Sequence, residues 1–228
     1  MGRQLEKCEG LATLLSGRSI VKIAIISDSH GWRLNPFLSQ LLEADGHTVV
    51  ETVYKNGWGA KKYTNDRVQL AHIIAANPDL IIVSLGGNNS NLDPSYGSTI
   101  DDFLAAIEAG KRRVIWVGPA TSDTSIAPST ARRHDWTADF LSGFLPNKGI
   151  SFIDSRPVTL TGHRNDGVHF PESGYRVWAD GVYPAIQDAM KPKPPVKLDF
   201  PILPMAIIGG SALLLAIVLI MRKGRKRS

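Results

Sequence analysis

Three polar residues in a row, Asp28, Ser29 and His30, follow an apolar run in the sequence IISDSHGW at positions 25–32. Asp28 and His30 have the Asp-x-His spacing of a metal-binding pair, because carboxylate oxygens and imidazole nitrogens both ligate metal ions. Ser29 instead carries a hydroxyl that becomes a nucleophile if an imidazole elsewhere takes its proton. The octapeptide fits both kinds of chemistry, so the rest of the chain has to decide between them.

The other groups that a serine nucleophile needs occur much later in the chain. DGVH at 166–169 contains Asp166 and His169, three residues apart. At this spacing the carboxylate can fix the tautomer of the imidazole and leave its second nitrogen for Ser29. His163 is a second candidate base, but it has no carboxylate three residues before it.

Apolar runs and helical patterns alternate from about residue 20 to residue 190. Strand-type runs cover Val21–Ser27, His47–Tyr54, Asp79–Leu85, Arg113–Val117 and Ile150–Ile153. Helical spacing covers Asn65–Ala76, Thr99–Ala109, Ala131–Leu145 and Pro171–Met190. Strands that are apolar throughout and separated by helices indicate a parallel sheet covered on both sides. The pattern predicts an α/β domain with a three-layer α/β/α, flavodoxin-like sheet.

The polar segments of interest follow the predicted strands. Ser29 follows the first strand, the loop at 56–60 follows the second, and Asn88 follows the third. In open parallel sheets, ligands bind outside the carboxyl ends of the strands. We therefore expect these segments to meet at one edge of the sheet.

Four sequence blocks resemble those of the SGNH (GDSL-type) hydrolases and occur in the family's order. Ser29 stands in SDS where the family has GDS, and Asn88 stands in LGGNN where the family has Gly-x-Asn-Asp. Gly59 follows the second strand, and DGVH matches the family's Asp-x-x-His. The resemblance implies a Ser29–His169–Asp166 triad, with the N–H groups of Ser29 and Gly59 and the Asn88 amide around the oxyanion. It implies neither a cofactor nor a metal.

The chain departs from the family's pattern at two positions. Ser27 replaces the first glycine of GDS, and Asn89 replaces the aspartate of Gly-x-Asn-Asp. Neither position supplies a triad or oxyanion group in the family, so catalysis is not excluded. The second block holds two glycines, Gly57 and Gly59; we expect Gly59 to be the donor and Gly57 to form the turn, although the sequence leaves both open.

The metal interpretation resembles the opening of the metallophosphoesterases and is the weaker alternative. A two-metal site needs a bridging aspartate after the second strand and then an Asn-His pair. No aspartate between residues 31 and 85 stands in a Gly-Asp turn after a strand, and no histidine follows Asn88 in its loop. His163 and His169 could still supply late ligands, so the resemblance is partial.

Several residues near the blocks have simpler structural interpretations. We expect Asp28 to brace its loop through backbone hydrogen bonds and His30 to line the pocket wall. His134, in ARRHDW, is expected on the surface of a helix. Trp32 and Trp58 either line an acyl or sugar pocket or belong to the core.

The positive charge of the chain is concentrated at its end. The tail at 222–228 holds five of the 26 Lys and Arg residues, which leaves 21 bases against 21 acids and accounts for the net charge of +5. A neutral body does not predict nucleic-acid binding. Cys8 is the single cysteine, so an internal disulfide is excluded.

Residues 204–221 form an uncharged apolar stretch directly before the basic tail. As a helix, eighteen residues span about 27 Å, close to the thickness of a bilayer's hydrocarbon core. The sequence thus predicts a C-terminal transmembrane helix that inserts in a lipid bilayer. Ala206 and Gly210 could let two such helices approach closely, which allows a homo-oligomer.

The predicted organisation has five parts. They are a leader (1–19), a hydrolase domain (20–190), a Pro/Lys-rich spacer (191–203), the membrane helix (204–221) and a basic tail (222–228). The five cations of the tail favour a cytoplasmic tail and an outside domain. The absence of an apolar signal-peptide core near the N-terminus argues for the opposite orientation, so the side of the domain stays open.

Together these features predict a membrane-anchored serine esterase. Its expected substrate is a carboxylic ester, either a glycan O-acetyl group or a lipid acyl ester, in the cell envelope. The alternative from another class is a catalytically silent module of the same fold that binds glycan or anchors a partner at a membrane. If the domain does not react with a serine-directed phosphonate, the silent module is the better interpretation.

Overall fold

A computed structural model describes residues 19–88, 92 and 95–191. The five strands are β1 (Lys22–Ser27), β2 (Thr48–Tyr54), β3 (Leu80–Ser84), β4 (Arg113–Val117) and β5 (Ser151–Ile153). The helices are α1 (Gly31–Ala44), α2 (Ala60–Asn65), α3 (Arg67–Ala75), α4 (Tyr96–Ala106), α5 (Pro128–Phe144) and α6 (Glu172–Met190). Two short 3-10 turns, Pro146–Lys148 and Arg156–Val158, flank β5.

All neighbouring strands pair in parallel, in the order β2-β1-β3-β4-β5. This is the strand order of a flavodoxin-like doubly wound sheet. The order reverses between β1 and β3, and a crevice forms beyond their carboxyl ends at such a point. Ser29 and Asn88 follow these two strands, so the topology alone brings them to one crevice.

Alternation along β1 separates two hydrophobic cores. Ile23 and Ile25 face a core closed by residues of α1 and α6, whereas Ala24 and Ile26 face a core closed by α2, α3, α4 and α5. Every residue of β3 is buried, as expected for a central parallel strand. The predicted three-layer α/β/α architecture is therefore confirmed.

The helix predicted over Asn65–Ala76 is α3, and a separate short helix that was not predicted, α2, precedes it and ends at Asn65. The Asp66 backbone is extended, and its carboxylate accepts a hydrogen bond from the Val68 N–H at 3.2 Å. An aspartate at this position is a favourable N-cap, so α3 begins directly after it.

The membrane prediction concerns residues that the structure does not describe. None of the helices within residues 19–88 and 95–191 combines the length and apolarity that a bilayer span requires. The predicted spacer beyond Lys191, the span at 204–221 and the tail lie outside the described residues, as does the leader before residue 19.

Candidate active site

Ser29 lies in a tight turn between β1 and α1. The turn is closed by a hydrogen bond of 3.1 Å from the Gly31 N–H to the Asp28 carbonyl. A Cβ atom on Gly31 would stand only 2.4 Å from Cβ of Ser27 and 2.7 Å from Cβ of Tyr54. The close approach of β1, β2 and α1 therefore requires glycine here, and it holds the Ser29 hydroxyl at the carboxyl edge of the sheet.

Asp166 and His169 lie in a hairpin-like loop before α6. Gly167 takes a left-handed φ of +69°, and its carbonyl accepts a 2.7 Å hydrogen bond from the Asp123 N–H. One oxygen of Asp166 accepts hydrogen bonds from the N–H groups of Val168 (2.9 Å) and His169 (2.8 Å). These bonds hold the carboxylate inside its own loop and point the second oxygen at the imidazole.

The structure brings Ser29, His169 and Asp166 together. Ser29 Oγ lies 3.0 Å from His169 Nε2, across 140 residues of sequence, and His169 Nδ1 lies 2.8 Å from Asp166 Oδ2. Burial would raise the pKa of Asp166, but the two backbone N–H bonds and the imidazole outweigh it and lower that pKa to about 2. The carboxylate is thus ionised at neutral pH and accepts the Nδ1 proton, which leaves Nε2 with its lone pair toward Ser29.

Asp28 joins two loops of the site through its buried side chain. Its Oδ1 accepts the His30 N–H at 3.0 Å, and the Gly87 N–H also bonds to the carboxylate. Burial raises the pKa of Asp28 to about 6, and the His30 bond and the nearby His169 limit this rise. As predicted, Asp28 braces the loop through backbone hydrogen bonds.

His30 lies behind the imidazole of His169. The two ring centroids are 5.0 Å apart, and His30 Nδ1 shares a 3.0 Å hydrogen bond with the Tyr175 hydroxyl of α6. Burial, followed by the proximity of His169, holds the pKa of His30 well below its usual value. A neutral ring therefore supports the back of the His169 side chain.

Two of the three predicted oxyanion donors, the Asn88 amide and the Gly59 N–H, lie on adjacent segments. The Asn88 amide donates to the Trp58 carbonyl at 3.4 Å, and that carbonyl belongs to the same peptide group as the Gly59 N–H. Gly57 has a left-handed φ of +69° and lies in a turn closed by a hydrogen bond from the Trp58 N–H to the Lys55 carbonyl. The Gly59 backbone is extended and precedes the first residue of α2. Gly57 thus forms the turn, and Gly59 as an oxyanion donor stays a prediction.

A cavity of about 240 Å³ opens in front of these groups. Its lining residues come from three loops and from α5, and they are predominantly polar: Asp28, Ser29, His30, Gly87, Asn88, Thr130, Arg133, His134, Asp166, Val168 and His169. Neither tryptophan belongs to this lining. Trp32 is exposed on α1, with Arg33 over its ring, and Trp58 packs edge-on against Tyr63 at the core.

The sequence did not predict that α5 forms part of the cavity wall. The predicted surface position of His134 is wrong. His134 is buried rather than on the surface; its Nδ1 lies 2.8 Å from the Ala120 carbonyl and its Nε2 lies 3.2 Å from the Gly87 carbonyl. Burial lowers its pKa. The signal was available, because residues 131, 134, 138 and 141 are all buried and follow the i, i+3, i+7 spacing of an inward helix face.

The remaining candidates for metal or base chemistry are engaged elsewhere. His163 Nε2 lies 3.0 Å from the Thr121 carbonyl, and the His163 ring packs on Phe170 at 4.6 Å. Asp28 and His30 use their side chains as described above. Within the described residues, no group of three His, Cys, Asp or Glu side chains is arranged to hold a metal ion.

Comparison with known proteins gives a structural likeness only. No family model matches the chain, and no curated protein matches it. The lipase/acylhydrolase of Enterococcus faecalis is 20% identical at a TM-score of 0.59, with 76% of this chain and 98% of that chain covered.

Two further solved structures give the same result. For a catalytic mutant of an acetylxylan esterase of Geobacillus stearothermophilus the identity is 14%, the TM-score 0.61 and the coverage 76% and 97%. For the aryl esterase of M. smegmatis the values are 15%, 0.56, and 74% and 99%. At such identities the likeness establishes the fold, and the chain has the fold of the SGNH (GDSL-type) hydrolases, as its sequence blocks predicted.

Proposed function

We propose that this protein is a serine esterase of the SGNH type that removes short acyl groups from a polar substrate. The observation that carries the proposal is the continuous chain of hydrogen bonds from Ser29 through His169 to Asp166, with distances of 3.0 and 2.8 Å. A hydroxyl, an imidazole and a carboxylate in this order are the arrangement that nucleophilic acyl transfer requires. The structurally similar proteins include an acylhydrolase and two esterases, which supports the same reaction class.

The reaction has two halves. Ser29 Oγ attacks the ester carbonyl while His169 Nε2 takes the hydroxyl proton, and His169 then gives that proton to the departing alcohol. Water next attacks the acyl-serine, with His169 as base again, and the carboxylic acid and free Ser29 are released. Asp166 stays ionised throughout and stabilises the imidazolium.

The negative charge on the carbonyl oxygen needs donors that are already in place. We assign the Ser29 and Gly59 N–H groups and the Asn88 amide to this role. Removal of one such donor raises the reaction barrier by roughly 3 kcal/mol. Asp28 supports the arrangement, because its carboxylate bonds to backbone on both the Ser29 loop and the Gly87 loop.

The cavity favours a short acyl group and a polar alcohol. Its volume of about 240 Å³ is below the roughly 300–1,000 Å³ of typical sites for drug-sized ligands. Val168 is the one apolar side chain larger than glycine among the described residues that line it. A long acyl chain would find little apolar surface there, so of the two predicted substrates we favour a glycan O-acetyl ester over a lipid ester.

The proposed setting is a membrane surface. Residues 204–221 would anchor the chain in the bilayer, and the spacer at 191–203 would hold the hydrolase domain next to envelope glycans. This part rests on the sequence pattern alone.

Hydrolysis of a series of 4-nitrophenyl esters tests the proposal. We expect kcat/KM to be highest for acetate and to fall steeply toward octanoate, and Ser29→Ala to abolish turnover. Ser142→Ala, which changes an exposed serine on α5, is the matched control and should retain full activity. If the wild-type chain hydrolyses none of the esters, the silent module of the same fold becomes the better explanation.

A further inference from the structure

Arg133 of α5 holds a fixed position on the wall of the cavity that contains Ser29. Its Nε donates to the Gly87 carbonyl at 3.2 Å, and its Nη2 donates to Thr130 Oγ1 at 3.3 Å. The side chain is half-buried. Two anchors on one edge of the guanidinium, at Nε and Nη2, fix its plane, so the group is preorganised before any substrate arrives.

Most of the hydrogen-bond donors on this wall have no acceptor among the described residues. A guanidinium has five N–H donors, and the two bonds above use two of them. Because Thr130 Oγ1 accepts a bond from Arg133, the Thr130 hydroxyl proton is available to a further acceptor. Among the described residues, no carboxylate lies within ion-pair distance of Arg133, whereas Arg112 and Arg156 both have carboxylate partners.

The first turn of α5 adds to the positive character of this wall. Ala127 precedes the helix and supplies no side-chain cap, and the first turn contains no acidic residue. The positive end of a 17-residue helix is therefore not neutralised locally. Thr130, in that first turn, lines the cavity.

The two carboxylates of the cavity do not neutralise this wall. Asp28 is buried and bonded to backbone N–H groups, and Asp166 is committed to His169 and its own loop. The cavity thus presents the reacting groups on one side and, on the other, an oriented cation that has no carboxylate partner within residues 19–88, 92 and 95–191.

We propose that Arg133 and Thr130 form an anion subsite, so that the natural substrate is an ester of an acidic polyol or sugar whose carboxylate or phosphate lies near the acyl group. Arginine binds such planar or tetrahedral oxyanions through paired N–H bonds. The inference rests on the proposed esterase function and narrows its substrate class from acetylated glycans to acidic ones.

The test compares charged and neutral esters on the full-length chain. An O-acetylated hexuronate is compared with its methyl ester, and acetylglycerol phosphate with acetylglycerol, which separates carboxylate from phosphate sources. We expect wild type to prefer the anionic member of at least one pair in kcat/KM. Arg133→Gln should reduce that preference by roughly 10- to 100-fold, the usual effect of hydrogen bonds to a charged group.

Arg132→Gln is the matched control, because this exposed neighbour on the same helix loses the same charge but does not line the cavity. Its preference should equal that of wild type. Thr130→Val should reduce the preference less than Arg133→Gln does. Equal loss of activity on the charged and neutral esters in Arg133→Gln would show that Arg133 only holds the Gly87 loop, and would overturn the subsite.

A binding measurement separates failure of the subsite from failure of the proposed function. Calorimetry with Ser29→Ala and the same acetylated hexuronate needs no turnover. Tighter binding of the acid than of its methyl ester, lost in the Ser29→Ala/Arg133→Gln double variant, supports the subsite even if wild type proves inactive. Equal binding of both, together with no kinetic preference, overturns it.

Discussion

Replacing Asp166 by asparagine should put His169 in the wrong tautomer, because the loop fixes which way the new amide faces. The oxygen that accepts the N–H groups of Val168 and His169 has to remain an acceptor. The amide NH2 then occupies the place of Oδ2 and donates to His169 Nδ1. The imidazole proton moves to Nε2 and points at Ser29. Nε2 then has no lone pair with which to accept the hydroxyl proton.

The size of the effect follows from the alternative orientation. If the side-chain amide rotates by 180°, its oxygen faces His169 and the correct tautomer is restored. The two backbone N–H groups then face an NH2 group and lose their acceptor, which costs about 1–3 kcal/mol for each. A total of about 2–6 kcal/mol corresponds to a loss of about 30-fold to 10⁴-fold in rate. Removal of the negative charge that stabilises the imidazolium places the expected loss toward the upper end of that range.

Steady-state hydrolysis of 4-nitrophenyl acetate measures this loss as kcat/KM. Asp123→Asn is the matched control, because Asp123 makes a comparable local turn bond to the Ser125 N–H at 2.8 Å and has no contact with His169. The control should stay within about twofold of wild type, like most exposed substitutions. An Asp166→Asn variant that keeps a third or more of wild-type kcat/KM would refute the role assigned to this carboxylate.

Three further substitutions have expected outcomes in urea unfolding. Because burial raises the pKa of Asp28 to about 6 from 3.8, the folded state holds this proton to higher pH than the unfolded chain. This single group should therefore contribute a loss of about 3 kcal/mol as pH rises from about 4 to 7. The free energy of unfolding of wild type minus that of Asp28→Asn should fall by this amount over that range, and a difference that does not change with pH would contradict the assignment. His134→Leu removes the imidazole that faces the carbonyls of Ala120 at 2.8 Å and Gly87 at 3.2 Å, one of which a neutral ring serves as donor. It should lower the free energy of unfolding by about 1–3 kcal/mol; an unchanged value would mean that the imidazole hydrogen bond contributes nothing. Gly31→Ala forces a Cβ into the β1–α1 turn and should cost about 1–3 kcal/mol, whereas Gly110→Ala, which meets nothing within 4 Å, should cost less than half of that.

The sheet could be predicted from local patterns, whereas the pairing of Ser29 with His169 was predicted from the resemblance to the SGNH hydrolases. Continuous apolar runs identify buried parallel strands, and parallel strands bring their carboxyl ends to one edge. Ser29 and Asn88 follow β1 and β3, so both were expected at that edge, and the strand order makes them neighbours there. Asp166 and His169 are linked within one loop, and their spacing alone indicates that the carboxylate can reach the imidazole.

The α5 wall could not be predicted in the same way. Which face of α5 turns toward the site depends on the course of the segment between β4 and Pro128, and that course is set by long-range bonds such as Asp123 N–H to Gly167 O. The spacing of Ala131, Ala138 and Leu141 could have placed His134 on the buried face of α5, but nothing in the charged ARRHDW stretch indicates that Arg133 lines the site. Their shared partner, the Gly87 carbonyl, lies 46 and 47 residues away.

The single measurement that most directly tests Ser29 as the nucleophile is covalent labelling by a fluorophosphonate, read by intact mass and by mapping of the modified peptide. If Ser29 is the nucleophile and His169 its base, the wild-type chain should carry one adduct on Ser29 and Ser29→Ala should carry none. His169→Gln should be labelled much more slowly than wild type. A wild-type chain that stays unlabelled, or a Ser29→Ala variant that is labelled as fast as wild type, would contradict this assignment.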